Sequence, residues 1–209
     1  ERRNRESTGV LAQLGIGAQD ILLLGTRLGL PDGKLCQPAE RAALALLDHC
    51  GAANRPTRIY TPAWEGGHQD HDATCIIACY LARAFSCLPA SRQFPLYHGH
   101  GLPGSLWRTF APLPENGPVE STRLGWRQRL RYLRLPLLYY SQWKTWLGLY
   151  PLYALNLLSR GRQYLQPLNP QRLGRAPHPG QCLYERRGFC NREEFGYHTK
   201  ALVDKITAD

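Results

Sequence analysis

The stretch that most restricts how this chain can fold begins with a short β-prone run that ends in proline, Thr57-Arg58-Ile59-Tyr60-Thr61-Pro62. It continues through Trp64-Glu65-Gly66-Gly67-His68-Gln69-Asp70-His71 into an apolar, helix-forming stretch from about Asp70 to Ala84. Proline closes the strand, since it cannot donate to a ladder. The glycine pair then allows a tight turn into the helix. A strand that runs through a glycine loop into a helix is the first half of a βαβ unit, which needs a layered α/β sheet to cover it.

The rest of the first half has the same grammar. Val10, Leu11 and Leu14 share one face of a helix predicted over Glu1 to Leu14, and Gly15-Ile16-Gly17 stops it. Asp20-Ile21-Leu22-Leu23-Leu24-Gly25 has the length and composition of a buried parallel strand. Pro38 opens a helix that Gly51 closes, and Leu96-Tyr97-His98 is a third strand candidate. The expected fold is α/β: a Rossmann-like three-layer sheet with mainly parallel strands over residues 1–105, its first strand missing, followed by a basic, aromatic helical region over 106–209. The chain opens inside a helical pattern and contains no methionine, so an upstream stretch is expected.

Charge separates the two regions. Of the net +10, residues 1–105 contribute 10 basic and 9 acidic side chains, and residues 106–192 contribute 14 and 3. Such a field draws anionic partners. No nucleic-acid-recognition motif accompanies it, so nucleic acid is not an expected partner, whereas an anionic membrane surface is. The seven cysteines form no C-x-x-C pair, which argues against a zinc ribbon and a disulfide framework, and Cys75 and Cys79 sit one helical turn apart as small core residues. A cytoplasmic location is expected, with peripheral attachment to the inner face of a membrane.

From Leu135 to Leu158 the sequence is rich in Leu, Tyr and Trp, with Lys144 its one charge. Pro136 and Pro151 are expected to break any single helix there. Tyr139, Trp143, Trp146 and Tyr150 recur at helical spacing. They either pack on the sheet or lie in a membrane interface, where aromatic rings and flanking arginines find both apolar and anionic surroundings.

The chemistry concentrates at His68 and His71. Three apart at a helix start, they share a face. Two imidazoles with a nearby carboxylate, Asp70, are ligand types that zinc accepts, and a catalytic zinc takes three protein ligands and a water whose pKa it lowers. Glycines permit close approach to a ligand, so Glu65 and Gly67 are expected to line substrate, as is Arg27 beyond the Leu24 run. His98-Gly99-His100, His49-Cys50 and Glu185–Cys190 are weaker candidates.

The run Glu65-Gly66-Gly67-His68-Gln69-Asp70-His71-Asp72-Ala73-Thr74 resembles the second signature of the LmbE/PIG-L metal-dependent N-deacetylases, with Gln69 where the family usually has proline. Leu28-Gly29-Leu30-Pro31-Asp32-Gly33-Lys34-Leu35 resembles the family segment after its second strand. Glu1-Arg2-Arg3 with its helix, and Tyr140-Ser141-Gln142, resemble two further family elements. The resemblance implies a hydrolase that uses a divalent metal, zinc by expectation, to remove an N-acetyl group from an amino sugar or a glycan- or lipid-linked sugar. It implies that His71 is a metal ligand, that His68 assists the tetrahedral intermediate and the leaving amine, and that Asp70 orients His68. The family's His-Pro-Asp-Asp run, source of the other two ligands and the general base, has no counterpart here; His178-Pro179-Gly180 is the nearest string. The residues as given are therefore expected to be inactive alone. The alternative expectation is a non-catalytic protein that binds at an anionic membrane surface.

Overall fold

The computed structural model describes residues 2–51 and 54–208. Glu1, part of one resemblance above, lies outside them. In chain order the first elements are α1 (Arg2–Gln13), α2 (Leu24–Leu28), α3 (Ala39–Cys50), β1 (Tyr60–Pro62), α4 (Gln69–Ala84), β2 (Arg92–Phe94), β3 (Tyr97–His98) and β4 (Arg108–Thr109). They are followed by β5 (Glu120–Arg123), α5 (Trp126–Arg134), α6 (Trp143–Ser159), β6 (Arg162–Pro167), α7 (Leu183–Arg186) and α8 (Arg192–Thr207). The chain forms two compact units, each drawn from two stretches: Glu1–Arg27 with Thr122–Gln163, and Leu28–Ser121 with Tyr164–Asp209.

The unit that contains the glycine–histidine segment is built around α4, which packs against α3, α8 and β1. Ala39, Ala42 and Ala43 of α3 are wholly buried. Their small side chains let α3 approach α4 closely. Ile76, Cys79 and Ala82 of α4 and Leu202 and Ile206 of α8 complete this core, and Cys75 is buried with them. Strands β1 and β2 pair in parallel, with Thr61 opposite Gln93, and α4 forms the crossover that a parallel pair requires. Strand β2 pairs antiparallel with β6, Gln93 opposite Gln166. The sheet order is β1-β2-β6-β5, with β3 and β4 as a separate antiparallel pair. The fold is thus mixed α/β with a mixed sheet.

Several elements form as local sequence dictates. Helix α3 starts after Pro38 and stops at Gly51, whose φ of +47° suits glycine and whose N–H bonds the Leu47 carbonyl. The strand expected over Asp20–Gly25 does not form. Ala18–Asp20 is a 3-10 turn, and the Leu23 carbonyl accepts from the N–H groups of Thr26 and Arg27 to open α2. A short apolar run carries no periodicity that separates strand from buried helix, and here the backbone closes locally.

The other unit contains α1, α5 and α6. Glu6 of α1 accepts from the backbone N–H of Ser141, 3.0 Å, and from its hydroxyl. Arg129 of α5 is buried, with Nε and Nη1 donating to the carbonyls of Leu124 and Leu158 at 3.0 Å each. Pro136 falls in a 3-10 turn, where it does separate two helices. Pro151 does not: α6 runs through it. Both Pro151 and Leu147, whose carbonyl it leaves without a helical donor, lie on the exposed face. Trp146, Tyr150 and Tyr153 form a ring cluster at centroid distances of 5.9 and 6.1 Å, while Trp143 is exposed. Among the described residues no helix is long and apolar enough to cross a membrane.

Candidate functional site

The loop between β1 and α4 is held at almost every backbone position. Trp64 N–H donates to Gln93 Oε1 at 2.9 Å, and the Trp64 carbonyl accepts from Asn116 Nδ2 at 2.9 Å. The N–H groups of Glu65 and Gly66 donate to the Asp72 carboxylate at 3.1–3.2 Å, and the Gly66 carbonyl accepts from Leu183 N–H at 2.7 Å. The Glu65 carboxylate accepts from Leu96 N–H at 3.0 Å and Tyr97 N–H at 2.9 Å. The two glycines are required by contact. Gly66 has φ +69°, and a Cβ there would lie 2.8 Å from Cys182 Sγ. A Cβ on Gly67 would lie 1.8 Å from the Tyr97 carbonyl oxygen.

Glu65 and Gly67 were expected to line substrate. Glu65 is buried, with its carboxylate engaged by β3 backbone, and Gly67 lies under the Tyr97 carbonyl. Both hold the loop in place. Arg27 is exposed in α2, in the other unit.

His68 is the N-cap of α4: its Nδ1 accepts from Asp70 N–H at 3.1 Å. With Nδ1 accepting, a neutral ring carries its proton on Nε2. Asp70 touches His68 through this backbone amide. Its carboxylate instead accepts from Gly33 N–H at 2.7 Å and Leu35 N–H at 3.0 Å. That pins the 28–35 segment to the start of α4, and Gln69 Nε2 adds a bond to the Gly33 carbonyl at 3.1 Å. The expected orienting carboxylate is thus committed to a turn, because Gly33 and Leu35 present two amides that no neighbouring carbonyl takes.

His71 stands one turn along, its ring 5.1 Å from that of His68 and edge-on to Tyr97 at 5.5 Å. Its Nδ1 is buried and has no hydrogen-bond partner. Burial pushes its pKa down to about 4, with the His68 charge acting in the same direction and Asp32 opposing. His71 is therefore neutral at neutral pH, the form that can donate a lone pair to a cation. As a donor set for zinc the fit is partial. His71 supplies one nitrogen, His68 Nδ1 is committed, and Glu65, Asp70 and Asp72 are each engaged by two backbone amides. Among the described residues no group of three or more His, Cys, Asp or Glu side chains is arranged to hold a metal ion.

A second histidine group gathers beside the loop. His98, His100 and His178 have ring centroids 4.8–6.3 Å apart, and His178 Nε2 is buried and unpartnered. His98 has both nitrogens engaged: Nε2 pairs with the Ala111 carbonyl at 2.9 Å, and Nδ1 accepts from His100 N–H at 3.2 Å. Burial pushes its pKa down to about 4, although the Ala111 bond pulls it up. An unfolded histidine takes its proton near pH 6.5, so the fold loses stability as pH falls from there toward 4. Between pH 7.5 and pH 5, wild type should lose about 2 kcal/mol more than His98→Gln in urea denaturation. Equal losses in the two proteins would refute this assignment.

Tyr97 and Asp72 belong to the candidate site although sequence reading gives them no role, and His178 is noted there only within His178-Pro179-Gly180. Only Asp72 carried a signal, an acid in the first turn of a helix. Tyr97 and His178 arrive from other parts of the chain. No family model, no curated protein and no solved structure matches this chain.

Proposed function

We propose that the unit built on α4 is part of an N-deacetylase of the LmbE/PIG-L type, with the Rossmann-like layered fold of that family, acting on an N-acetylated amino sugar or a glycan- or lipid-linked sugar. The observation that carries this reading is the pair His68 and His71 on the first turn of α4, rings 5.1 Å apart, with His71 Nδ1 buried and unpartnered. A buried polar atom without a partner costs about 1–3 kcal/mol and calls for a functional reason. The anchoring of Gly33 and Leu35 by Asp70 also supports the reading, because it joins the two segments that carry most of the resemblance.

In this proposal the residues have separate tasks. His71 is the neutral nitrogen ligand for a divalent cation. His68, with its proton on Nε2, donates a hydrogen bond to the oxygen of the tetrahedral intermediate and so assists departure of the amine when the amide C–N bond breaks. Asp70 sets the His68 ring through its backbone amide, and Asp72 and Glu65 hold the loop rigid. The described residues do not complete a zinc donor set, so no step is assigned to the metal. Protein expressed from its complete reading frame should release acetate from N-acetylglucosamine conjugates in the presence of zinc. His71→Ala and His68→Ala should each lower kcat/KM by about 100-fold or more while far-UV circular dichroism stays unchanged. A folded protein that binds no metal, or whose activity ignores His71→Ala, removes the reading.

A further inference from the structure

Helix α6 presents an unusual outer face. Its inner face packs on α5 and on the turn Leu135–Leu138. On the outer face Trp143, Leu147, Pro151 and Leu155 follow one another at four-residue intervals, with Leu158 beside them. Trp143 is 60% exposed, Leu147 73% and Leu155 65%. A helix apolar on both sides needs a cover on both sides. The charge around this face points to what supplies the second cover. Residues 122–163 carry eight basic side chains and no acidic one. Arg127 and Arg134, a helical repeat apart on α5, are exposed, and Lys144 stands within the apolar strip with its ammonium 5.8 Å over the Trp143 ring. Trp126, 63% exposed, adds a second interfacial ring at the start of α5.

We propose that the outer face of α6 docks on an anionic phospholipid bilayer, with the helix lying flat in the interfacial layer. At 17 residues it is about 25 Å long. It is not long and apolar enough to cross. Leu147, Leu155 and Leu158 enter the acyl boundary. Trp143 and Trp126 sit at headgroup depth, where indole rings partition. Arg127, Arg134 and Lys144 meet headgroup phosphates, an attraction confined to about a Debye length and therefore weakened by salt. A protein partner would have to match a wide apolar strip edged only by cations, whereas a bilayer with anionic lipid supplies both properties in one layered surface. This inference stands apart from the deacetylase reading, since it involves neither His68 nor His71.

The test is co-sedimentation of the full chain with vesicles of equimolar phosphatidylcholine and phosphatidylglycerol, and with phosphatidylcholine alone. Wild type should bind the mixed vesicles about tenfold more tightly than the neutral ones. The double variant Leu147→Gln/Leu155→Gln should lose about tenfold or more of that binding, with its thermal midpoint and circular dichroism unchanged because both side chains are already in water. Arg127→Gln/Arg134→Gln should weaken binding to mixed vesicles and flatten its salt dependence. Absence of binding to mixed vesicles at low ionic strength overturns the proposal, and so does binding that the leucine pair does not alter. It is equally overturned if wild type ignores vesicles and sediments as a dimer that the leucine variant dissolves, for the face then joins two copies of the chain.

Discussion

Gly67→Ala is expected to prevent the α4 unit from folding. The added methyl would lie 1.8 Å from the Tyr97 carbonyl oxygen and 3.0 Å from its carbon, both backbone atoms that no rotamer change can move aside. Relief requires β3 to retreat from the loop. That breaks the bonds from Leu96 and Tyr97 N–H to Glu65, leaving a buried carboxylate without donors. A closely packed interior yields little under such overlap. The combined cost is at least about 4 kcal/mol, close to the whole stability of a domain at the low end of the usual range. Gly67→Ala should therefore appear as insoluble or protease-sensitive protein, with no cooperative transition in urea. A soluble variant with the wild-type urea midpoint would show that the loop does not approach β3 as described.

Asp72→Ala should be nearly as damaging. Asp72 is wholly buried and accepts from the N–H groups of Glu65 and Gly66. Its removal leaves two buried amides without partners, at about 1–3 kcal/mol each. A loss of about 3–5 kcal/mol follows, with the His68–His71 turn loosened. Asp72→Asn keeps the shape and one accepting oxygen, so it should cost less, about 1–2 kcal/mol. The two variants also separate charge from shape. Burial pushes the Asp72 pKa up to about 7 against the pull of the Glu65 and Gly66 amides. A carboxyl whose folded pKa is raised holds its proton more tightly in the native state, so native stability falls as pH rises from about 4 toward 7 and levels off above. Wild type should lose stability relative to Asp72→Asn across that window. A parallel pair of stability–pH curves would show that Asp72 is ionised throughout.

The helices were the most legible part of the fold. Pro38 and Gly51 bracket α3 because proline suits the first turn and glycine the left-handed stop. The start of α4 near Asp70, with both histidines on its first turn, follows from local spacing and the glycine pair before it. The run Ile21–Leu24 was ambiguous for a physical reason: four apolar residues satisfy a strand or a helix end equally, and the choice rests on where backbone partners lie. Strand β2 escaped notice because Arg92-Gln93-Phe94 has almost no apolar content. Its place in the sheet depends on Gln93, which accepts from Trp64 N–H and donates to the Pro167 carbonyl at 2.9 Å.

At the candidate site the division is sharper. The sequence alone determined that His68 and His71 share one turn, since three-residue spacing at a helix start depends only on helix geometry. It did not determine what the carboxylates do. Glu65 read as a substrate-lining residue, Asp70 as the group that orients His68, and Asp72 carried no assigned role, but the folded chain commits all three to backbone amides, those of Leu96 and Tyr97, of Gly33 and Leu35, and of Glu65 and Gly66. Four of those amides lie more than thirty residues away in the chain. Whether a backbone N–H is left over at a turn or strand edge has no signature in residue type, because every residue except proline carries one. Only tertiary contact decides which of them meet a carboxylate, and so only the tertiary structure showed that the acids around His68 and His71 hold the loop and the turn beside them in place.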